Sequence, residues 1–284
     1  VGSYLIARRA GGEWLLRMED LDTPRVVAGA ADDILSTLET LGLCWDREVV
    51  WQSRRSHLYQ EALDRLIRDG WAYPCGCSRT EIARIATASA EGGHAAPYPG
   101  TCRLGLPPGK EPRAFRVRAP ATPIRFHDQV QGEQIQDVSC IYGDFVVRRA
   151  DGPFAYHLAV VVDDAAAGVT DVVRGADLLD ATPCHIHLQT LLGLQEPRYA
   201  HLPLVTGPAG AKLSKRDAAV SLTSGRNLAR DGGSLLLATL RFLGQRPPQA
   251  IYGASAADVL AWGRSFFDSS AIPRSGGPFT MERQ

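Results

Sequence analysis

The chain has 284 residues, 45% of them hydrophobic and 22% charged, with Lys+Arg and Asp+Glu equal at 31 each. That is enough apolar material for one large soluble domain or two modest ones, and a formal net charge of zero excludes a globally basic nucleic-acid binder, so a nucleic acid would have to be held on a local basic surface. No apolar run of about 18 residues and no secretory leader pattern is seen, and six cysteines in so long a chain fit a reduced cytoplasmic protein with one cysteine-based metal site better than a disulfide framework.

In chain order, Val1–Ala10 reads as the end of a helix and Glu13–Met18 (EWLLRM) as a short strand of period-two character. Thr23-Pro24 opens a new element. Ala31–Leu41 sets Ile34, Leu35, Leu38 and Leu41 at helical spacing with Gly42 as its stop; Ser56–Asp69 repeats the pattern with Leu58, Ala62, Leu63, Leu66 and Ile67 and is closed by Gly70. Strand, helix, helix with short links predicts an α/β core. Tyr73–Arg103 is rich in Cys, Pro, Gly and Ala and reads as an insertion, with a helical piece near Ser78–Ala88 that Ser78 and Glu81 would cap. Strands are predicted at Ala114–Arg118, Ile124–Asp128 and Asp144–Arg149, while Phe154–Asp164 and Val169–Arg174 are apolar stretches that end in charge. Pro183–Leu192 reads as a helix with Pro183 in its first turn, Tyr199–Val205 as a strand, Gly207–Arg216 as a loop and Ser234–Leu243 as a helix. The Ser/Pro/Gly-rich tail after Phe267 is expected to be poorly ordered. No internal repeat is present.

The loop Gly207–Arg216 (GPAGAKLSKR) is the most informative stretch. Lys212 and Lys215 flank Ser214, so two ammonium point charges can follow phosphate oxygens and offset charge that builds on an attacked α-phosphate; the plain alternative is a solvated basic loop. Glu19, Asp20 and Asp22 place three carboxylates in four positions after the first strand. Like charges so close need cationic or amine partners, unless they form an acidic turn capping the next helix. Arg174 followed by Gly175 offers a guanidinium for a ligand carboxylate, or for Asp171 or Asp177. Tyr156 offers a hydroxyl, or is a half-buried core aromatic.

Cys75-Gly76-Cys77 and Cys102 offer three thiolates, and zinc takes four ligands in a tetrahedron. His94 and Tyr98 are both available as the fourth, and three free thiols are the alternative to a site. A lobe with so few apolar residues is expected to need a metal to hold its shape. Cys44, Cys140 and Cys184 read as ordinary buried thiols. His185 and His187, two apart on a helix, face different ways and make no metal pair; His57, His127 and His201 give no signal.

Taken in this order, the motifs resemble the class I aminoacyl-tRNA synthetases of the glutamyl/glutaminyl branch. Lys212–Lys215 (KLSK) is similar to the KMSKS loop, with Leu213 for Met and Arg216 for the last Ser; Arg17–Arg25 (RMEDLDTPR) is similar to R-x-E-D-x-D-x-x-R; Ala155–Asp164 (AYHLAVVVDD) is similar to Y-x-x-A-x-V-x-D-D; and Val169–Leu179 (VTDVVRGADLL) is similar to H-V-I-R-G-x-D-L-L. The resemblance runs from about Gly2 to about Leu222. It implies an α/β fold: a Rossmann-like nucleotide-binding core with a small zinc-containing insertion and a helical C-terminal part, and no anticodon-binding domain. The expected layout is 1–72 for the first part of the core, 73–103 for the zinc insertion, 104–205 for the rest of the core with an acceptor-end-like insertion, and 206–284 for the lysine loop and helical part.

The resemblance further implies that Glu19, Tyr156 and Arg174 bind glutamate, Lys212, Ser214 and Lys215 bind ATP, and Lys215 is catalytic. The short members of the branch, glutamyl-queuosine tRNA(Asp) synthetases, carry a C-x-C…Y-x-x-x-C pattern, which favours Cys75, Cys77, Tyr98 and Cys102 as ligands of a structural Zn2+. Their reaction activates glutamate with ATP and Mg2+ and passes it to queuosine at the wobble position of tRNA(Asp); a cytoplasmic monomer is expected. A segment similar to the H-I-G-H signature belongs just ahead of Gly2. Val1 begins the chain after it, so the natural start is expected to lie upstream, and the chain as it stands is expected to lack adenylate formation. A catalytic fragment of a discriminating glutamyl-tRNA synthetase and a non-catalytic tRNA-binding relative are the competing expectations.

Overall fold

Hydrophobic period sets the element order, and the elements in turn set where the charged strand ends meet. The structure, a computed structural model, describes residues 1–22, 26–78, 80–84, 97–206 and 227–279. Helix α1 (Gly2–Arg9) is followed by strand β1 (Arg17–Met18), α2 (Ala30–Thr40), β2 (Val50–Trp51) and α3 (Ser56–Arg68). Next come β3 (Ala72–Cys75), β4 (Ala114–Val117), β5 (Ile124–Asp128), β6 (Gly132–Gln136), the one-turn α4 (Val138–Ile141) and β7 (Phe145–Arg148). The rest comprises α5 (Tyr156–Ala167), β8 (Asp171–Gly175), α6 (Thr182–Leu191), β9 (Arg198–Leu202), β10 (Val205–Thr206), α7 (Leu228–Phe242), α8 (Ala256–Phe266) and β11 (Gly277–Pro278).

The four-stranded sheet runs β6-β5-β9-β8. β8, β9 and β5 are parallel and β6 pairs antiparallel on the edge. β8, α6 and β9 form a β-α-β unit, the connection that parallel strands require, and its register sets Arg174 opposite His201. Helix α6 is buried from Thr182 to Gln189 although His185, His187 and Gln189 are polar; such groups persist inside only when hydrogen-bonded. A second sheet, β3-β4-β7, is antiparallel throughout.

Among the described residues, two large apolar cores result, beside two smaller clusters. Tyr59, Leu63 and Leu66 of α3, Leu158, Val160 and Val161 of α5, and Cys184 and Leu188 of α6 pack with Val117, Phe145 and Val147 of the antiparallel sheet. Tyr4 and Leu5 of α1 pack with Leu235, Leu236 and Leu240 of α7, Val259 and Leu260 of α8, and Ala200 of β9. Helix α5 stops where Gly168 takes the left-handed conformation, which a side chain would oppose.

Most predicted elements are present, and the differences have local causes. The strand expected over Glu13–Met18 narrows to Arg17–Met18, which pairs with Val50–Trp51. The strand expected over Tyr199–Val205 stops at Leu202, ahead of Pro203, which has no N–H for a ladder. Helix α7 begins at Leu228, capped by Asn227, well before Ser234. Gly232-Gly233 hid this start, yet they sit inside the helix because a Cβ on Gly233 would fall 2.0 Å from the Ala254 carbonyl. The expected poor order of the tail does not hold for its described part: Phe267 and Ile272 are buried in the second core. Cys184 is buried as expected, but Cys44 and Cys140 are exposed, Cys140 lying on a one-turn helix with little to pack against.

Candidate active site

The ends of β1, β8 and β9 and the start of α5 converge. Arg174 leaves β8 as its penultimate residue, and its guanidinium meets the Tyr156 hydroxyl at the first residue of α5, with Nη1 to Oη at 3.2 Å. From the other side, Arg17 on β1 donates from Nη1 to Asp164 Oδ1 on α5 at 2.6 Å and from Nη2 to Glu19 Oε1 at 3.2 Å. Two of the three residues expected to bind glutamate, Tyr156 and Arg174, thus touch. Glu19 joins them through electrostatics: its charge and those of Arg174, Arg17 and Asp164 all bear on the Tyr156 phenol.

Burial dominates the electrostatics of this cluster. It pushes the Tyr156 phenol up despite the Arg174 cation, so the hydroxyl keeps its proton; it accepts from Arg174 and has that proton left to donate. Burial also works against the Arg17 charge, but the Asp164 carboxylate outweighs it and holds the guanidinium above its ordinary range. Glu19 stays about half exposed, so its carboxylate is presented to solvent with one cationic neighbour.

The remaining acidic residues of that turn serve the scaffold. Asp20 accepts from the Ser53 backbone N–H at 2.8 Å and its hydroxyl at 2.6 Å, and Asp22 pairs with Arg149 at 3.0 Å. Arg174 pairs with neither Asp171 nor Asp177; Asp171 is taken by Arg198 at 2.8 Å. A Cβ on Gly175 would lie 2.6 Å from the Asp177 carboxylate and 3.1 Å from Leu204, both ends of side chains. Lys212, Ser214 and Lys215 lie outside the described residues, as do Thr23, Pro24, Arg25 and His94.

Several residues here carried no recognised sequence signal. Arg17 was legible only as a motif position. His185 Nδ1 lies 3.2 Å from Arg174 Nη1, and His201 Nε2 accepts from Arg174 Nε at 3.0 Å. A histidine in the middle of an apolar strand was the available clue for His201.

The cysteine cluster forms a separate small core with Tyr73 and Tyr98. Cys75 ends β3. Gly76 separates it from Cys77 because the chain at Lys110 and Glu111 passes so close that a Cβ would sit 2.9 Å from the Glu111 carbonyl. Tyr98 is pinned by a bridge to Gly143, where a side chain would strike the Tyr98 backbone at 2.3 Å. The three sulfurs lie within 4.8 Å of one another. Cys77 and Cys102 Sγ are 3.6 Å apart, and Tyr98 Oη is 3.3 Å from Cys75 Sγ and 3.7 Å from Cys77 Sγ. Ligands at zinc distances on a tetrahedron stand about 3.3–3.8 Å apart, so this donor set fits the ion. Burial, with the thiols beside it, pushes the Tyr98 phenol far up; a cation at the centre would favour its oxygen as a ligand. Arg116 stacks over Tyr98 at 3.8 Å from the ring centroid and points Nε at Cys75 Sγ, 3.4 Å away. Ser78 and Glu81 form the expected reciprocal cap beside the cluster.

Residues 1–252 match the family described as tRNA synthetases class I (E and Q), catalytic domain. The chain is 63% identical over 279 residues to the glutamyl-Q tRNA(Asp) synthetase of Geobacter sulfurreducens, covering 98% of this chain and 89% of that protein. It is 54% identical over 275 residues to the enzyme of the same name from Dechloromonas aromatica, covering 96% and 89%. Among solved structures, a glutamate tRNA ligase from Elizabethkingia meningosepticum in complex with its amino acid superposes with a TM-score of 0.79 at 24% identity, over 99% of this chain and 63% of that one. At that identity the likeness is one of fold alone.

Proposed function

Because the chain belongs to the glutamyl-Q tRNA(Asp) synthetases, within the class I catalytic-domain family for E and Q, we propose that it activates glutamate with ATP and transfers it to the queuosine base at the wobble position of tRNA(Asp). The observation that carries the reading is the meeting of Arg174 and Tyr156 at 3.2 Å beside the Arg17–Glu19 pair, in a chain more than half identical to two enzymes of that name. The site has a cationic end and an anionic end, as a zwitterionic amino acid with an anionic side chain requires.

Glu19 takes the substrate ammonium group, held in place by Arg17. The free proton of Tyr156 is donated to a substrate carboxylate, and the Arg174 charge behind that hydroxyl attracts the same group. The α-carboxylate attacks the α-phosphate of ATP, which enters as its magnesium complex, and pyrophosphate leaves. Lys215, assisted by Lys212 and Ser214, offsets charge on the phosphates. Catalysis is positioning and electrostatic stabilisation, since no covalent enzyme intermediate is needed. The glutamyl adenylate then gives its acyl group to queuosine, its mixed-anhydride bond breaking and AMP leaving.

Cys75, Cys77, Tyr98 and Cys102 would hold a structural Zn2+, whose contribution is to fix a lobe with little apolar core. No described helix is long and apolar enough to cross a membrane. A cytoplasmic monomer acting on glutamate, ATP and tRNA(Asp) is the arrangement we propose.

The test is glutamate transfer by the full-length protein to tRNA(Asp) with and without queuosine, and to tRNA(Glu), together with glutamate-dependent ATP–pyrophosphate exchange. Transfer only to the queuosine-bearing tRNA supports the reading. Charging of tRNA(Glu) would assign the chain to ordinary glutamyl-tRNA synthetases, and absence of exchange would leave a tRNA-binding relative.

A further inference from the structure

Behind the substrate-facing side of Arg174 lies a buried chain of polar groups. His201 and Asp128 are both fully buried. Asp128 Oδ1 accepts from the backbone N–H groups of Val130, Gln131 and His201 at 3.0, 2.8 and 3.1 Å. Its Oδ2 lies 2.6 Å from His201 Nδ1. On the far side of the ring, Nε2 lies 3.0 Å from Arg174 Nε.

These distances fix the tautomer. A guanidinium has five N–H donors and no acceptor, so His201 Nε2 must accept and the ring proton sits on Nδ1, donated to Asp128. The same logic runs through the neighbouring ring: His185 Nδ1 faces Arg174 Nη1 at 3.2 Å and must accept, which puts its proton on Nε2, donated to His157 Nδ1 at 3.1 Å. The other guanidinium donors go to Tyr156, to Thr182 Oγ1 at 2.8 Å and to the Leu178 carbonyl at 3.3 Å. Every described acceptor around Arg174 is therefore neutral. The Asp128 carboxylate is held one imidazole away, and Asp164, whose charge also feels Arg174, is paired to Arg17.

We infer that His201 is a positioning residue for the amino-acid site: a neutral imidazole, oriented by Asp128, that aligns the Arg174 guanidinium and keeps the Asp128 carboxylate from neutralising it. The cation is then left for an anionic substrate group. All five guanidinium N–H groups are already met by neutral acceptors, whereas a direct Arg174–Asp128 pair would cancel the charge and remove its preference for a negative side chain. This inference rests on the proposed role of Arg174 in binding glutamate.

Two measurements test it on the full-length protein. Long-range 1H–15N spectra of histidine-labelled protein should show His201 protonated on Nδ1. The near-isosteric Asp128→Asn change keeps an oxygen for the three backbone donors but turns an N–H toward His201, so it should move the proton to Nε2, where it opposes Arg174 Nε–H. In ATP–pyrophosphate exchange this variant should raise the KM for glutamate by about tenfold, the size of one misaligned hydrogen bond to a charged group, with little change in the KM for ATP. His201→Gln, with an oxygen for Arg174 and an N–H for Asp128, should recover most of the glutamate KM that His201→Phe loses. A proton on Nε2 in the unmodified protein, a reversed tautomer with unchanged glutamate KM, or equal losses in the Gln and Phe variants would each overturn the inference. Absence of exchange in the unmodified protein would overturn the functional reading instead, and the tautomer alone would then decide whether the imidazole is set as described.

Discussion

Arg17 on β1 and Asp164 on α5, 147 positions apart in the chain, meet with Nη1 and Oδ1 at 2.6 Å. The pair ties the acidic turn carrying Glu19 to the helix carrying Tyr156. A guanidinium can hold both carboxylates at once, while an ammonium is a single compact charge. Arg17→Lys should therefore raise the KM for glutamate roughly tenfold, the worth of one charge-assisted hydrogen bond, while leaving the KM for ATP nearly unchanged. Equal changes in both constants in ATP–pyrophosphate exchange would count against Arg17 as the residue that orients Glu19.

Replacing Lys215 with Ala should slow adenylate formation by a factor of about 100 or more, the usual cost of removing one preorganised charge from a transition state. Glutamate affinity, read by calorimetry, should stay nearly the same. Loss of affinity in proportion to rate would place Lys215 in amino-acid binding instead.

Metal content separates the candidate ligands. Cys77→Ser or Cys102→Ser should abolish stoichiometric zinc, measured by emission spectroscopy. Tyr98→Phe should leave three thiolates and a more weakly held ion, released about 10–100-fold faster to a chelator. His94→Ala should change nothing; zinc loss in that variant alone would make His94 the fourth ligand.

His157 is held down to about 4, against an ordinary 6.5, by burial and by the Arg174 cation. The unfolded chain takes up this proton as pH falls through 6.5, whereas the folded chain resists until about 4. The contribution to stability is therefore complete above 6.5 and is lost progressively as pH drops toward 4. With a discount for the ring's partial exposure, the loss is roughly 2–3 kcal/mol. Denaturant midpoints measured between pH 7 and 4 should fall along this course, and the fall should be shallower in His157→Gln.

Gly233→Ala tests the crossing of α7 against the chain before α8. The added methyl would fall 2.0 Å from the Ala254 carbonyl, so the helices must part, at about 1–3 kcal/mol for overpacking. Alanine on an exposed helix position is stabilising relative to glycine, so an unchanged or raised melting temperature would refute the close approach.

Periodic and punctuated elements were legible before any coordinates. α2 and α3 announced themselves by apolar spacing, with Gly42 and Gly70 as their stops, both at positive φ, and α6 by Pro183 in its first turn. Glu19, Tyr156 and Arg174 were found through motif order, and the cysteine cluster through its spacing and poor core. What escaped was non-local. The Ser/Pro/Gly-rich end looked loose because Phe267 and Ile272 find their partners on α1 and α7, far away in sequence. α8 went unread although Ser255 caps it by accepting from the Asp258 N–H, and β6 because Gly-Glu-Gln-Ile-Gln holds one apolar residue. Asp128 and His201 each look unremarkable in their own strands, and only the pairing of β5 with β9 brings them together. Cys44 and Cys140 were misjudged because small apolar character alone does not say whether a surface exists to cover it.

Arg174 and His201 sit directly across from each other on neighbouring parallel strands, and a ladder of main-chain hydrogen bonds fixes their separation. Remodelling the surface turns would leave that spacing untouched. A shift in which amino acid is accepted therefore has to come by exchanging side chains at fixed rungs, and the chain's preference should persist through loop insertions, deletions and grafts that spare the sheet.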